Sequence, residues 1–445
     1  MSCIGREVLH YKWGKGLVKA QRYGDFELLV RFNNGVITWL KKGECNLLLQ
    51  KPETIITMHP PTSVIPTPTE FIEEEILIRR QAIEAFKLGI IPHFVKDFIF
   101  GRDREIEYIK KWLNQDEQNY LLIFGAYGSG KTHLMKYIQH MALEMDYAVA
   151  SSSLDPEETP LYHPKSVYRS IVSNLTFNHG KEGFKELIKQ INEKHPQIGT
   201  DNLFLDIILH HSMNDNLFWR WLEGGDLIKS IYGFPSLYPW STAANIFCNL
   251  LSIYGHLARR LLGLKGLLLL FDEAETLNFP SYYQYQYQRG KNLFRGLLLA
   301  SSNDHRLLHE EITPSNPRTG LETDLIYCGR NTIKYIYHIP TGLKVIFTLT
   351  PSEEITRFCR DIGYNRAIPL ERLGDEDREE VVDAIQKLYI LAYPTSKFKY
   401  NEMRYIKRRA IEIGVENIRS LIKSTIEAMD LRRHWPEKDI KEILS

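Results

Sequence analysis

Gly125-Ala126-Tyr127-Gly128-Ser129-Gly130-Lys131-Thr132 has the spacing G-x-x-x-x-G-K-[ST], a pattern that holds phosphate. Glycine lets successive backbone N–H groups curl around an anion with no Cβ in the way. The start of the following helix, at His133, adds its positive dipole end. Lys131 would neutralise the β- and γ-phosphates, and Thr132 would offer its hydroxyl to Mg2+. A second cluster closes the run Gly266-Leu267-Leu268-Leu269-Leu270-Phe271-Asp272-Glu273. Two adjacent carboxylates at the end of a buried strand are costly to desolvate unless a cation is near. Asp272 would reach the metal and its water shell. Glu273 would polarise a water for attack on the γ-phosphate. The two clusters imply ATP and Mg2+ as ligands and ATP hydrolysis as the reaction.

These residues need a parallel sheet to position them. Residues 120–124, 266–271 and 343–350 are short continuous apolar runs, as expected of strands buried on both faces. Helical periodicity follows the first run over residues 133–145, which gives the strand–loop–helix context the phosphate loop requires. The third run ends in Thr348 and Thr350, whose hydroxyls would face the same end of the sheet; β-branching alone also favours threonine in a strand. The fold class expected is α/β: a parallel P-loop sheet with helical insertions at about residues 155–260 and 281–340, followed by a helical lid.

Composition sets the frame. The chain has 445 residues, 43% apolar and 25% charged, with a net charge of +1. That excludes a largely disordered or fibrous chain, and any basic surface must be local. Five cysteines, none in a C-x-x-C pair, argue for a reducing compartment and a cytoplasmic location. The segment MSCIGREVLHYKWGKG has no apolar core of a signal peptide, and no run is long enough for a membrane span.

Residues 1–50 read as short β-prone runs separated by turn signals, Asn33-Asn34-Gly35 among them. The expectation is a small β-barrel. Gly5, Val8, His10, Trp13, Gly14, Gly16 and Val18, then Val30, Phe32 and Gly35, resemble the Tudor/SH3-like module found in some DNA helicases and CarD-type RNA-polymerase binders. That resemblance implies docking to protein or nucleic acid; as core fillers Trp13, Phe32 and Trp39 would serve equally. Residues 51–70 hold five prolines and read as a linker. The ATPase core is expected over residues 71–370, beginning with a helix at 71–88, and the lid over 371–445.

Further residues come in through resemblance. Phe98-Ile99-Phe100-Gly101-Arg102-Asp103-Arg104-Glu105 resembles the segment that lies against adenine in origin-recognition-like and STAND ATPases, with Asp103 placed to cap a helix. In the AAA+/STAND branch a polar residue at Thr348 or Thr350 would act as sensor 1. Arg419, opening a helix, would sit at sensor 2. Arg357, Arg360 and Arg366 lie where an arginine finger would be expected, which implies a homo-oligomer. The segments around Arg79–Gly89, the P-loop, His140–Glu144, Glu157–Arg169 and Phe271–Glu275, in that order and spacing, resemble the BrxC/BrxD ATP-binding proteins of BREX-type bacteriophage defence. The resemblance implies an ATPase working with defence-system protein partners and on DNA, directly or through a partner.

Two segments bear on DNA. Residues 281–289 interleave Tyr and Gln ahead of Arg289, a composition suited to stacking on bases or to facing a partner. Residues 397–433 hold ten Lys/Arg against five Asp/Glu, including Lys407-Arg408-Arg409, a candidate phosphate-binding face. A nucleotide-dependent switch that never grips DNA is the alternative. A helicase is disfavoured, since no second set of strand-borne motor motifs is present.

Overall fold

The computed structural model describes residues 7–10, 14–22, 27–32, 37–41, 46–47, 68–90, 99–116, 119–194, 202–225, 234–235, 237, 246–309, 311–312, 323, 325, 335–336, 341–361, 367–414 and 417–443. The chain divides into two compact units, Met1–Thr67 and Pro68–Ser445.

The first unit is a five-stranded antiparallel sheet in the order Ile37–Lys41, Glu27–Phe32, Gly14–Arg22, Glu7–His10, Asn46–Leu47. Alternation along the strands gathers Val8, Val18, Leu28, Val30, Phe32 and Leu40 into its core. Among the described residues no pairing joins Ile37–Lys41 to Asn46–Leu47. The Asn33-Asn34-Gly35 turn, Trp13, the Trp39 side chain and the proline-rich segment up to Thr67 lie outside the described residues.

The second unit is built on a seven-stranded sheet. From one edge run Ala367–Leu370, the P-loop strand Tyr120–Gly125, the threonine strand Leu343–Leu349, the acidic strand Gly266–Asp272 and Tyr147–Ser153, all mutually parallel. Two short antiparallel strands, Thr176–Phe177 and Glu182–Gly183, complete it. In chain order the parallel strands lie fifth, first, fourth, third, second. The threonine strand therefore sits between the P-loop strand and the acidic strand. Parallel direction brings all their carboxyl ends to one rim, where ligands bind in such sheets.

Both faces of the sheet are covered. Leu268 and Leu270 pack with the P-loop helix Lys131–Glu144 and with Ile109 and Trp112 of helix Asp103–Leu113. Leu267, Leu269 and Phe271 point the other way, into the core shared with helix Ile246–Leu262 and the tyrosine helix Gln284–Ser301. Lys344, in the threonine strand, is buried. It donates to the carbonyls of Trp112 and Gln115 and to Asn119 Oδ1, at 3.2, 2.6 and 2.9 Å. Burial pulls its pKa down to about 8. The lysine ties the end of the preceding helix to the sheet.

A third core belongs to the lid. Helices Asp375–Ala392, Tyr400–Ile413 and Ile418–His434 pack around Val382, Tyr389, Ile406 and Met429. The front helix Pro68–Lys87 adds Ala82, Ile83 and Phe86 to this same core. It is fastened there by Lys87 and Asp430, which form an ion pair, and by Arg80, whose Nε donates to the Ala392 carbonyl at 2.8 Å.

Candidate functional site

The P-loop strand ends at Gly125, and the helix behind it starts at Lys131. Between them Ser129 N donates to the Ala126 carbonyl at 3.1 Å. Gly128 and Gly130 have φ of 76° and 94°, a region that only glycine enters freely. A Cβ on Gly128 would also lie 2.4 Å from Cβ of Asn417 in the lid. Lys131 is buried, and its Nζ donates to the carbonyls of Gly125 (2.8 Å) and Ala126 (3.4 Å) and to Thr350 Oγ1 (2.9 Å). Thr132 is exposed and His133 partly so, while Tyr127 stands out from the loop at 75% exposure.

The acidic strand brings its carboxylates to the same cleft. Asp272 accepts from the Thr348 hydroxyl and, at 3.1 Å, from Glu273 N. Glu273 holds φ 60° and ψ 38°, a left-handed conformation costing a non-glycine residue about 1–2 kcal/mol. Partial burial, then the charges of Asp272 and Glu275, push the Glu273 carboxyl above the usual range, against the opposing pull of Lys131. The two threonines diverge: Thr348, fully buried, orients Asp272, whereas Thr350 bridges Lys131 and Glu275.

The sequence assigns no role to Glu275 itself. It sits on the 3-10 turn Ala274–Asn278 and lines the cleft. Its only signal is the spacing Asp272-Glu273-Ala274-Glu275.

The lid closes the opposite wall. Ile418 N donates to the Gly128 carbonyl at 3.3 Å, and Asn417 caps the last lid helix by accepting from Ser420 N. Arg419 follows, its Nη1 3.4 Å from Tyr127 Oη and its guanidinium against Gly89. Phe86, in the last turn of the front helix, and Gly89 and Ile90 just after it form the apolar end of the cleft with Ile418 and Ile422.

Three expectations are corrected here. Gly101 and Arg102 do not line this cleft. Arg102 is buried under the P-loop, where its guanidinium binds Glu105 and the carbonyls of Ser129 and Glu371, and Gly101 packs against Asp377. The apolar wall comes from Phe86 and Ile90 instead. Asp103 is the first residue of its helix, with Arg102 at the cap position and no side-chain cap bond. Lys407-Arg408-Arg409 is no open cationic face: Lys407 pairs with Glu379 and Asp383, and Arg408 and Arg409 with Glu412. Arg357 and Arg360 are exposed on helix Glu353–Asp361, away from the cleft lining, and Arg366 lies outside the described residues.

Thr132 and Asp272 present hard oxygen donors on one cleft, which fits Mg2+ held partly by a ligand's phosphates. Beyond the acidic turn, Tyr283 and Tyr285 are 69% and 54% exposed and stacked at 5.8 Å, with Arg289 lying 5.2 Å over Tyr285. Tyr287 instead turns in against Phe358.

A parallel sheet ordered around a P-loop strand, with a helical lid on the loop, defines an α/β P-loop fold of the AAA+ type. Residues 76–196 match the family described as BREX system ATP-binding protein BrxC/D, so the resemblance drawn from the sequence holds over that segment. No curated protein sequence matches the chain. Among solved structures, domain III of the Thermotoga maritima replication initiation protein DnaA is 11% identical over 79% of this chain and 94% of that one, with a TM-score of 0.35. AMPPCP-bound DnaA from Aquifex aeolicus is 13% identical over 76% of this chain and 65% of that one, with a TM-score of 0.32. Drosophila ORC bound to DNA is 12% identical over 81% and 66%, with a TM-score of 0.33. The chain spans just under two thirds of the latter two. Among the described residues no helix is long and apolar enough to cross a membrane.

Proposed function

We propose that this chain binds ATP with Mg2+ and hydrolyses it, as a cytoplasmic ATPase of a prokaryotic anti-phage defence system that acts with protein partners and on DNA. The observation that carries the reading is the convergence of Lys131, Asp272, Glu273 and the lid residue Arg419 on one cleft. Lys131 and the loop N–H groups hold the β- and γ-phosphates. Thr132 and Asp272 would hold Mg2+, whose charge would offset the negative charge on the phosphate oxygens. Glu273 takes a proton from the attacking water as its oxygen bonds to Pγ and the bond from Pγ to the bridging β-oxygen breaks. Arg419 and Ile418 N connect the occupied loop to the lid, so phosphate release moves the lid helices and the front helix packed with them.

Phosphate release with and without DNA, together with mass in solution with and without ATP, tests the proposal. Turnover that rises with DNA supports a motor or loader. A second reading is a slow nucleotide switch that signals to a partner without gripping DNA. The pairing of Lys407, Arg408 and Arg409 with acids favours it. A monomer that binds ATP tightly and turns over slowly, unaffected by DNA, would establish the switch.

A further inference from the structure

The cleft holds two groups that a triphosphate needs, and both are engaged within the protein. The three protons of the Lys131 ammonium go to the Gly125 and Ala126 carbonyls and to Thr350 Oγ1. The Thr350 hydroxyl has one proton, and it is donated to Glu275 Oε1. Glu275 Oε2 is buried and has no hydrogen-bond partner among the described residues. A carboxylate with one satisfied oxygen grips its remaining donor strongly, since a bond to a charged acceptor is about twice as strong as a neutral one.

We propose that Glu275 is a positioning residue that competes with the γ-phosphate for the hydroxyl proton of Thr350. While Thr350 donates to Glu275 it presents only lone pairs to the cleft, and one of these holds Lys131. A terminal phosphate must draw that hydrogen bond away from Glu275, while the oxygen of Thr350 still accepts from Lys131. ADP has no γ-phosphate and leaves the Thr350–Glu275 bond in place. The cleft thereby distinguishes the triphosphate through Thr350, and Glu275 sets how strongly. The inference rests on reading this cleft as the nucleotide site.

The test is equilibrium binding of a non-hydrolysable ATP analogue and of ADP to the full chain by calorimetry, with Mg2+. Four proteins are compared: wild type, Glu275→Ala, Thr350→Val and the double variant. Glu275→Ala is expected to tighten the analogue about tenfold or more, the loss of a charged competing acceptor, and to change ADP little. In the Thr350→Val background the same substitution should change neither. Glu275→Gln keeps the volume and a neutral acceptor and should give a smaller gain in the same direction, which covers a poorly folded alanine variant. Equal tightening with and without Thr350 would mean that Glu275 acts only as a negative charge, and would overturn the inference alone. No change in either background would also overturn it. A wild-type chain that binds no nucleotide would overturn the reading of the cleft and the inference together.

Discussion

At the scale of single residues the site is held by short, directional contacts. Thr348 is isosteric with valine, so Thr348→Val should pack normally yet remove the hydroxyl that Asp272 accepts. The expected cost is about 1 kcal/mol for one hydrogen bond lost to a half-buried carboxylate, read by urea unfolding, with turnover reduced and nucleotide binding nearly kept. Glu273 carries backbone strain at the point of chemistry. Glu273→Gly should relieve it and unfold no more easily than wild type, gaining up to about 1 kcal/mol, while losing hydrolysis. A clear loss of stability in that variant would show that the Glu273 side chain holds the turn. The P-loop and the two adjacent acids were legible because their chemistry depends on fixed local spacing. Glu275 and Phe86 were not, because they reach the cleft only through the turn after the acidic strand and through helix packing. The place of Gly101 and Arg102 is hidden for the same reason: nothing local tells a guanidinium under the loop from one beside the base.

At the scale of elements apolar runs announce the three central strands but not Tyr147–Ser153 or Ala367–Leu370, and the strand order is beyond local reading. Nothing in the threonine strand's own residues says that it lies between the P-loop strand and the acidic strand. The front helix reads as amphipathic, yet which core takes its face depends on the lid. That attachment gives a prediction. Burial acts to raise the Asp430 pKa, but hydrogen bonds from Lys87 and Tyr389 outweigh it and hold the carboxyl below its ordinary 3.8. A folded-state pKa below the unfolded one adds stability that is full above that ordinary value and is lost as pH falls through the depressed one. Asp430→Asn should therefore destabilise the lid near neutral pH by about 1–3 kcal/mol, and the gap from wild type should shrink as pH falls below about 4. A gap that persists in acid would assign the effect to packing. Thermal unfolding across pH measures it.

At the scale of the whole molecule, two compact units raise the question of what each contributes. Removing residues 1–67 is expected to leave basal phosphate release within about twofold, since a unit with its own core behaves as a domain. Loss of ATP binding in the truncated chain would contradict that. Exposed Tyr283 and Tyr285 lead to the expectation that replacing both by alanine weakens single-stranded DNA binding more than duplex binding, because only unstacked bases offer ring faces. A gel-shift titration at two salt concentrations reads this, and equal losses on both forms would remove base stacking from the account. The central claim is that the cleft hydrolyses ATP with Glu273 as the base. Its most direct test measures nucleotide binding and phosphate release on one preparation of Glu273→Gln beside wild type. ATP should bind as in wild type, and release should fall by about 10²-fold or more; unchanged release would contradict the claim.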